Sequence, residues 1–355
     1  MSKLKPNLPS QQKAKDLNLE DIAKEAGVSR ATVSRVINNE AYVSEETRQR
    51  VQNVIEKLGY SPNLRGRILA TGRTNIIGVV IPQSLATVFD DQFYFPTLLN
   101  GVAQAANQRN YAMLLWIQES STDEERFYER ILKNHLMDGV LLASPEQNNP
   151  FIPRLLATGI PMAMVEHPGR WADRINFVTV DNQAAAILAT KHLYKQGRRR
   201  IGHITGALNN IDGIKRLEGY QQAMAELGIP YNEEFVAEGN FESKSGYRGM
   251  QTLLKAHVDA VFCANDQMAL GALKALDELG VRVPGDIAII GFDDLPASER
   301  SNLTTIHQPI HTKGAQVTHL LLDQIEGISD GVRHALLPTH LVIRETCGAS
   351  ITQRF

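Results

Sequence analysis

Residues 18–74 have the sequence NLEDIAKEAGVSRATVSRVINNEAYVSEETRQRVQNVIEKLGYSPNLRGRILATGRT, which carries the clearest local signals in the chain. It predicts three short helices, because each apolar stretch with helical spacing follows a residue that can cap a helix N-terminus. The capping residues are Asn18, Ser29 and Ser44. Gly27 and Gly59 follow the first and third stretches, where a left-handed residue ends a helix.

The first two predicted helices are joined by too few residues to lie antiparallel, so we expect them to cross steeply, as in a helix-turn-helix. Such a unit presents the N-terminal end of its second helix to the major groove of DNA. We therefore predict that Arg30, Ala31 and Arg35 contact base edges. Nearby hydroxyl and amide groups suit phosphate oxygens; they belong to Ser29, Thr32, Ser34, Asn38 and Tyr42. The alternative is a protein-binding module in which Ser and Thr only cap helices.

From residue 75 the chain alternates short apolar runs with segments long enough to form crossover helices. The runs are IIGVVIP, YAMLLWI, DGVLLAS, IPMAMVE and FVTVDN, followed by RIGHITG, FVAEGNF, AVFCAND and IAIIGFDD. Two series of strand–helix units predict an α/β body with two lobes, each built on a parallel sheet. We expect a ligand to bind between the lobes, at the carboxyl ends of the strands.

Polar residues that directly follow these runs should face the cleft between the lobes. They are Glu166, Asp181, Thr205, Asn265, Asp266 and Asp293. Arg216, after RIGHITG, can donate two parallel hydrogen bonds, and Phe241 can stack on an apolar ring face. This chemistry favours a sugar as the effector over a nucleobase or another polar metabolite. A cap or turn is the alternative role for Asp181, Asn265 and Asp266, the last before a helix beginning at Gln267.

Charge is distributed unevenly along the 355 residues, whose formal net charge is −2. Residues 1–73 contain 13 Lys and Arg against 8 Asp and Glu, a balance of +5; the remainder contain 24 against 31, a balance of −7. A basic end on an acidic body fits a protein that holds DNA at one end. Residues 1–16 have little apolar surface to bury, which predicts a mobile arm.

Composition and motifs disfavour several other classes of protein. Two cysteines without metal-ligand or disulfide spacing predict no metal site and a cytoplasmic location, and we predict no cofactor. No apolar run approaches the roughly 20 residues that span a bilayer, and no export segment follows the first lysines. Motifs of nucleotide-binding loops, serine hydrolases and zinc proteases are absent, so we predict that the protein is not an enzyme. A transporter's solute-binding protein would explain the body but not residues 18–74.

The ordered motifs AGVSRATVSRVINN, VSEETRQRV, GYSPN, GRTNIIGVV and GFDD resemble the lactose-repressor (LacI) family of bacterial transcription regulators over nearly the whole chain. The resemblance implies a homodimeric repressor that binds a pseudo-palindromic double-stranded DNA operator under the control of a small effector. It also implies a body like the periplasmic sugar-binding proteins, with crossings between lobes near Val180, Gln308 and Pro338. Gln308 joins the implied effector contacts, and a helix near 95–107 is implied in the dimer.

Residues 62–74 correspond to the hinge of that family, with departures from its usual pattern. In the family an alanine is followed by arginine or glutamine, then by a small polar residue, and then by a leucine that inserts into the minor groove. The corresponding residues of this chain are Gly66, Arg67, Ile68 and Leu69. The resemblance implies minor-groove contacts for Arg67 and Leu69, with Ile68 as a second candidate for insertion. Gly66 costs about 1 kcal/mol of helix propensity, so we expect the hinge to order only on DNA. A simple basic linker is the alternative.

The predicted domains are an arm at 1–16, a helix-turn-helix domain at 17–61, a hinge at 62–74 and an effector-binding and dimerisation body at 75–355. Lobe 1 is expected at about 75–180 and 308–337, and lobe 2 at about 181–307 and 338–350. An insertion at 85–95 lengthens the first cleft loop and is expected to bring Tyr94 and Phe95 towards the pocket.

Overall fold

The computed structural model describes residues 17–37, 42–60, 72–81, 93–118, 120–144 and 146–349. The chain divides into two compact units, Met1–Thr74 and Asn75–Phe355. We call the first unit the head and the second the body. Some predicted features fall outside the described residues; these are Asn38, Arg67, Leu69, the arm at 1–16 and most of the insertion at 85–95.

The head contains three helices, α1 (Leu19–Ala26), α2 (Arg30–Ile37) and α3 (Glu45–Leu58). Asn18 caps α1, because its side-chain oxygen accepts hydrogen bonds from the backbone N–H groups of Glu20 and Asp21 at 2.8 and 3.1 Å. The helices bury one small apolar core, formed by Ile22, Ala23, Ala26, Val33, Val36, Val51 and Val54. These apolar residues recur at helical spacing, and the predicted helix-turn-helix is confirmed.

The body contains twelve strands among its described residues. They are β1 (Ile76–Ile81), β2 (Ala112–Ile117), β3 (Gly139–Ala143), β4 (Met162–Val165), β5 (Asn176–Val180), β6 (Ile201–Ile204), β7 (Val236–Ala237), β8 (Ala260–Cys263), β9 (Ala288–Asp293), β10 (Thr304–His307), β11 (His334–Leu337) and β12 (His340–Val342).

The described helices of the body lie between these strands. They are α4 (Tyr94–Gln108), α5 (Ser121–Phe127), α6 (Phe151–Thr158), α7 (Asn182–Lys195), α8 (Ile211–Glu226), α9 (Ser243–Lys255), α10 (Asp266–Glu278), α11 (Pro296–Arg300) and α12 (Ile310–Ile325). A π-helical turn (Tyr128–Leu132) continues α5, and single 3-10 turns lie at Gly169–Trp171 and Glu233–Phe235.

The strands form two six-stranded sheets, in the orders β11-β5-β4-β3-β1-β2 and β12-β10-β9-β8-β6-β7. Every pairing is parallel except that of β12 with β10. Because β1 to β5 and β11 belong to the first sheet and the other strands to the second, the chain passes between the sheets three times. The carboxyl ends of both sets of parallel strands can therefore face a common cleft. The predicted α/β class with parallel sheets is confirmed.

The last three strands were not among the predicted runs, and FVAEGNF contributes only the two residues of β7. The sequences TTIH, HALL and HLV are short and mix polar with apolar residues, so they lack the continuous apolar character of buried parallel strands. The threonines of β10 are nevertheless buried, and the hydroxyl of Thr305 has an internal partner, because it donates to Asp266 at 2.6 Å. A hydroxyl with an internal partner can replace an apolar side chain there.

Helices α4 and α12 lie in unusually close contact on the first sheet. A Cβ atom at Gly101 would lie 2.1 Å from the carbonyl oxygen of His311, and one at Gly314 would lie 2.3 Å from that of Leu98. Only glycine permits this approach, because any side chain would clash with backbone. The contact fixes the first turn of α12, directly after β10, against the first sheet.

Candidate functional site

The head presents a polar face on α2, opposite the buried Val33 and Val36. Arg30, Ala31 and Arg35 are exposed on this face. Arg30 forms an ion pair with Glu20 of α1 at 3.0 Å, but both side chains keep more than half of their surface in solvent, 66% and 60%. The arrangement leaves the predicted base-contacting residues accessible to a partner.

The predicted phosphate contacts surround the same end of α2. The hydroxyl of Ser29 accepts from the backbone N–H of Thr32 at 3.1 Å and lies 2.9 Å from the Thr32 hydroxyl, so Ser29 caps α2 as expected. Ser34 is half-buried, and Tyr42 is exposed. Asn38 lies outside the described residues.

In the body, a row of hydrogen bonds joins the strand ends of the two sheets. The ammonium of Lys313, in the first turn of α12, donates to Glu166 at 2.7 Å and to the side-chain oxygen of Gln308 at 2.6 Å. The amide nitrogen of Gln308 donates to Asp293 at 2.6 Å. Glu166 follows β4 of the first sheet, whereas Asp293 ends β9 of the second. We call Glu166, Lys313, Gln308 and Asp293 the interlobe bridge.

Glu166 has its oxygens directed at several donors, and it adopts a left-handed backbone with φ of 81°. The Tyr94 hydroxyl donates to it at 2.8 Å, and the Thr179 hydroxyl lies 3.4 Å away. Burial by itself raises the pKa of Glu166, but the charge of Lys313 and the hydrogen bonds outweigh burial and lower the pKa to about 2. Glu166 is therefore ionised at neutral pH.

Asp212, on α8 of the second lobe, shares a hydrogen bond with Glu166 across the cleft. Burial raises the pKa of Asp212 well above its ordinary range, and the nearby Glu166 carboxylate raises it further. The raised pKa favours the protonated form of Asp212, in which its hydroxyl can donate to the Glu166 carboxylate. Asp212 also accepts a hydrogen bond from the side-chain amide of Asn182 at 2.9 Å.

Arg216 is buried in the second lobe. Its guanidinium donates to Asn182 at 2.8 Å and to the carbonyl of Ala264 at 2.5 Å, and it lies 3.6 Å from the centre of the Phe292 ring. The Phe241 ring is further away, at 5.9 Å. The predicted side chains Arg216, Phe241, Asp293, Gln308 and Glu166 are thus brought into one region by the two sheets.

Asn265 and Asp266 have structural partners. Asn265 caps α10 by accepting from the backbone N–H of Met268 at 2.9 Å, and its amide donates to the carbonyl of Phe241 at 2.9 Å. Our prediction that Asp266 caps a helix beginning at Gln267 is wrong by one residue, because α10 begins at Asp266. Burial raises the pKa of Asp266 to about 6, and its oxygens accept from Ser298 and Thr305.

The remaining candidates have local roles as well. Asp181 caps α7 by accepting from the backbone N–H of Ala184 at 2.9 Å, which confirms the alternative role given to it. The hydroxyl of Thr205 is buried and accepts from the backbone N–H of Gly239 at 3.3 Å. Phe95 is buried in the core of the first lobe beside Tyr94, so of the two aromatic residues only Tyr94 reaches the polar network.

The two lobes also touch at the rim of the cleft. The backbone N–H of Gln147, after β3, donates to the carbonyl of Asn209, after β6, at 2.7 Å. The Arg300 guanidinium of α11 lies 5.4 Å from the centre of the Phe93 ring, at the start of α4. The cleft is therefore closed in this structure by contacts at its rim as well as by the interlobe bridge.

Lys313 and Asp212 are the central residues that sequence reasoning missed. Both have a signal in helical spacing: Lys313 lies on the buried stripe of α12 with Ile310 and Val317, and Asp212 lies on the buried stripe of α8 with Arg216. A charged residue on an apolar stripe needs a buried partner. Among the described residues no cluster of three or more His, Cys, Asp or Glu side chains could hold a metal ion.

Comparison with family models gives two matches. Residues 18–63 match the model for bacterial regulatory proteins of the lacI family, and residues 190–347 match that for a periplasmic binding protein-like domain. The transcriptional regulator CelR of Thermobifida fusca is 37% identical over 333 residues, which cover 92% of this chain and 97% of CelR. The transcriptional repressor PurR of Escherichia coli O139:H28 is 36% identical over 312 residues, covering 86% and 90%.

Solved structures give the same result over both units. A complex of CelR with cellobiose is 35% identical, with a TM-score of 0.74, and covers 93% of this chain and 99% of that chain. The lac repressor dimer bound to operator and the anti-inducer ONPF is 27% identical, with a TM-score of 0.79, covering 94% and 100%. No described helix is long and apolar enough to cross a membrane.

Proposed function

The chain belongs to the LacI family of bacterial regulatory proteins, and from this premise we propose that it represses transcription under the control of a sugar bound between its lobes. It is a helix-turn-helix transcription regulator, as are its relatives CelR and PurR. The observation that carries the proposal is the coexistence of an exposed basic face on α2 with a polar cleft whose two sides belong to different lobes.

For DNA, we propose that Arg30, Ala31 and Arg35 contact bases, while Ser29, Thr32, Ser34, Asn38 and Tyr42 contact the backbone. Exposure of the first three residues supports this assignment. We propose that the hinge residues Arg67 and Leu69 enter the minor groove.

For the effector, we propose contacts from Glu166, Arg216, Phe241, Asn265, Asp293 and Gln308. Carboxylate, amide and guanidinium groups in one buried region can pair with the donors and acceptors of a polyhydroxylated ligand. The similarity to CelR, which has been solved with cellobiose, supports a sugar. The similarity to PurR keeps a purine as the second candidate.

We propose that the protein binds its operator as a homodimer, since a single head makes few base contacts. The edge strand β2 supports an interface along the body. Its sequence is AMLLWI, and Met113 to Ile117 are only half-buried although five of these six side chains are large and apolar. Helix α4, which covers the region implied by the family, contacts β2 and is a candidate for the same interface.

Fluorescence anisotropy with fragments from upstream of the gene and its neighbours tests the regulator role. We expect tight, sequence-dependent binding that changes at least fivefold when the correct effector is added, because the effector must bind two states unequally. Arg35→Ala should abolish discrimination between operator and random DNA. Arg130→Ala, a change at an exposed residue of the body, is the matched control and should leave it intact. Equal affinity for operator and random DNA in the wild type would refute the proposal.

A further inference from the structure

Lys313 is a fully buried lysine at a position where helix packing calls for an apolar residue. It lies on the stripe of α12 that contains Ile310 and Val317, and its side chain has no exposed surface. The close glycine contacts between α4 and α12 leave its Cα little freedom to move. A buried ammonium is costly unless it is paired and hydrogen-bonded, so its retention indicates a specific task.

The ammonium has one more N–H donor than its described partners accept. Its two described partners are the carboxylate of Glu166 and the amide oxygen of Gln308. An ammonium group carries three N–H donors. The third therefore has no acceptor among the described residues, and it is held between the strand ends of the two sheets.

Among the described residues, the ionised side chains of this network are balanced in charge. Lys313 and Arg216 supply two positive charges, and Glu166 and Asp293 supply two negative ones. The charge of Asp293 acts on this network, since it raises the pKa of Tyr94. Asp212 lies 3.8 Å from the Arg216 guanidinium, and burial and the adjacent carboxylate raise its pKa, which favours its uncharged form. An anionic ligand would add a buried charge without a counter-ion, whereas an uncharged polyol only exchanges hydrogen bonds.

We propose that Lys313 is a specificity-determining residue of the cleft, which donates its third N–H to a ring or hydroxyl oxygen of an uncharged saccharide. This inference rests on the proposed function, because it takes a sugar as the effector. It adds both the group that selects the ligand and the charge class of that ligand. The ammonium is also linked to closure of the lobes, since its partner Gln308 in turn donates to Asp293 of the second lobe.

The test begins with a thermal-shift panel on the full chain. It contains uncharged saccharides including cellobiose and glucose, the sugar acids gluconate and glucuronate, sugar phosphates, and the purines guanine and hypoxanthine. We expect an uncharged saccharide to give the largest shift. A sugar acid or phosphate in first place would overturn the inference but leave a sugar-responsive regulator. A purine in first place, or no saccharide binding at all, would overturn the proposed sugar effector and this inference with it.

Calorimetric titration of the best saccharide then isolates the ammonium. Lys313→Met with Glu166→Gln removes both charges of the pair, and Glu166→Gln alone is the reference. The double variant should bind about 10- to 100-fold more weakly than the reference, the range for one lost charge-assisted hydrogen bond. The exposed pair Lys191→Met with Glu226→Gln, which are 44% and 42% exposed and 2.5 Å apart, is the matched control and should bind as the wild type does.

Monodeoxy analogues of the saccharide separate ligand contact from a structural role. One analogue should bind Glu166→Gln more weakly than the parent sugar does, because its missing oxygen is the acceptor for Lys313. The double variant should bind this analogue and the parent sugar equally. Equal parent affinity in the reference and the double variant, or unchanged discrimination among the analogues, would overturn the assignment to Lys313.

Discussion

The head and the cleft use charged residues in opposite ways. In the head, Arg30 and Glu20 form an ion pair that remains mostly exposed to solvent. In the cleft, Lys313 and Glu166 form a pair of similar length from which solvent is almost excluded. Exposed pairs contribute little to stability, whereas the loss of one partner from a buried pair leaves a charge that solvent cannot reach. Similar contacts should therefore have very different consequences for folding and binding.

Breaking the buried pair is the strongest test of this contrast. Lys313→Met should reduce the free energy of unfolding of the body by about 3–5 kcal/mol at neutral pH, because Glu166 loses its counter-ion while it stays buried. Urea unfolding followed by fluorescence of the two tryptophans, both in the body, measures the change. Lys191→Met, in the exposed pair with Glu226, is the control and should cost less than about 1 kcal/mol. Equal losses in the two variants would remove the distinction between buried and exposed ion pairs.

The shared proton of the cleft predicts a pH dependence that the head should lack. The pKa of Asp212 is raised above its ordinary 3.8, so folding retains a proton that the unfolded chain releases. Stability of the body should therefore fall as the pH rises above about 4, by at most about 1.4 kcal/mol per pH unit, until Asp212 itself ionises. Buried Asp266 and His203 also have shifted pKa values, so the contribution of Asp212 is the difference in slope between Asp212→Asn and the wild type, measured by urea unfolding between pH 5 and 8.

The control for that series is Asp286→Asn. Asp286 is at the surface, where hydrogen bonds from Arg282 lower its pKa to about 2. It is ionised in both folded and unfolded chains above pH 5, so the substitution should leave the slope unchanged. Parallel curves for Asp212→Asn and the wild type would show that the two cleft carboxyl groups do not share a proton.

The smallest effect is expected in the head. Glu20→Gln removes the exposed partner of Arg30 and should cost less than about 1 kcal/mol, with the difference vanishing at high salt. Hydrogen exchange of the amides of residues 19–37 in the full chain measures this locally. A loss comparable to that of Lys313→Met would contradict the contrast.

The same contrast explains what the sequence could predict. The core of the head could be predicted from the sequence, because Ile22, Ala26, Val33 and Val36 repeat at helical spacing within a few residues of each other. The cleft residues that we predicted could be found in the sequence because they follow apolar runs. Lys313 and Asp212 were missed because their partners are distant in sequence: Glu166 is 147 residues from Lys313. Local patterns predict which face of a helix is buried, but they do not predict which distant carboxylate pairs with a charged residue on that face.

The order of strands has a consequence for synthesis of the chain on the ribosome. The first sheet is completed by β11 and the second by β10 and β12, so both depend on residues that emerge last. The three helices of the head are complete once residue 60 has emerged, whereas α12 and its lysine join the first lobe only after nearly all of the second has been made. A nascent chain therefore carries a finished helix-turn-helix long before it has a cleft that can respond to a ligand, and a premature stop before residue 300 damages both lobes at once.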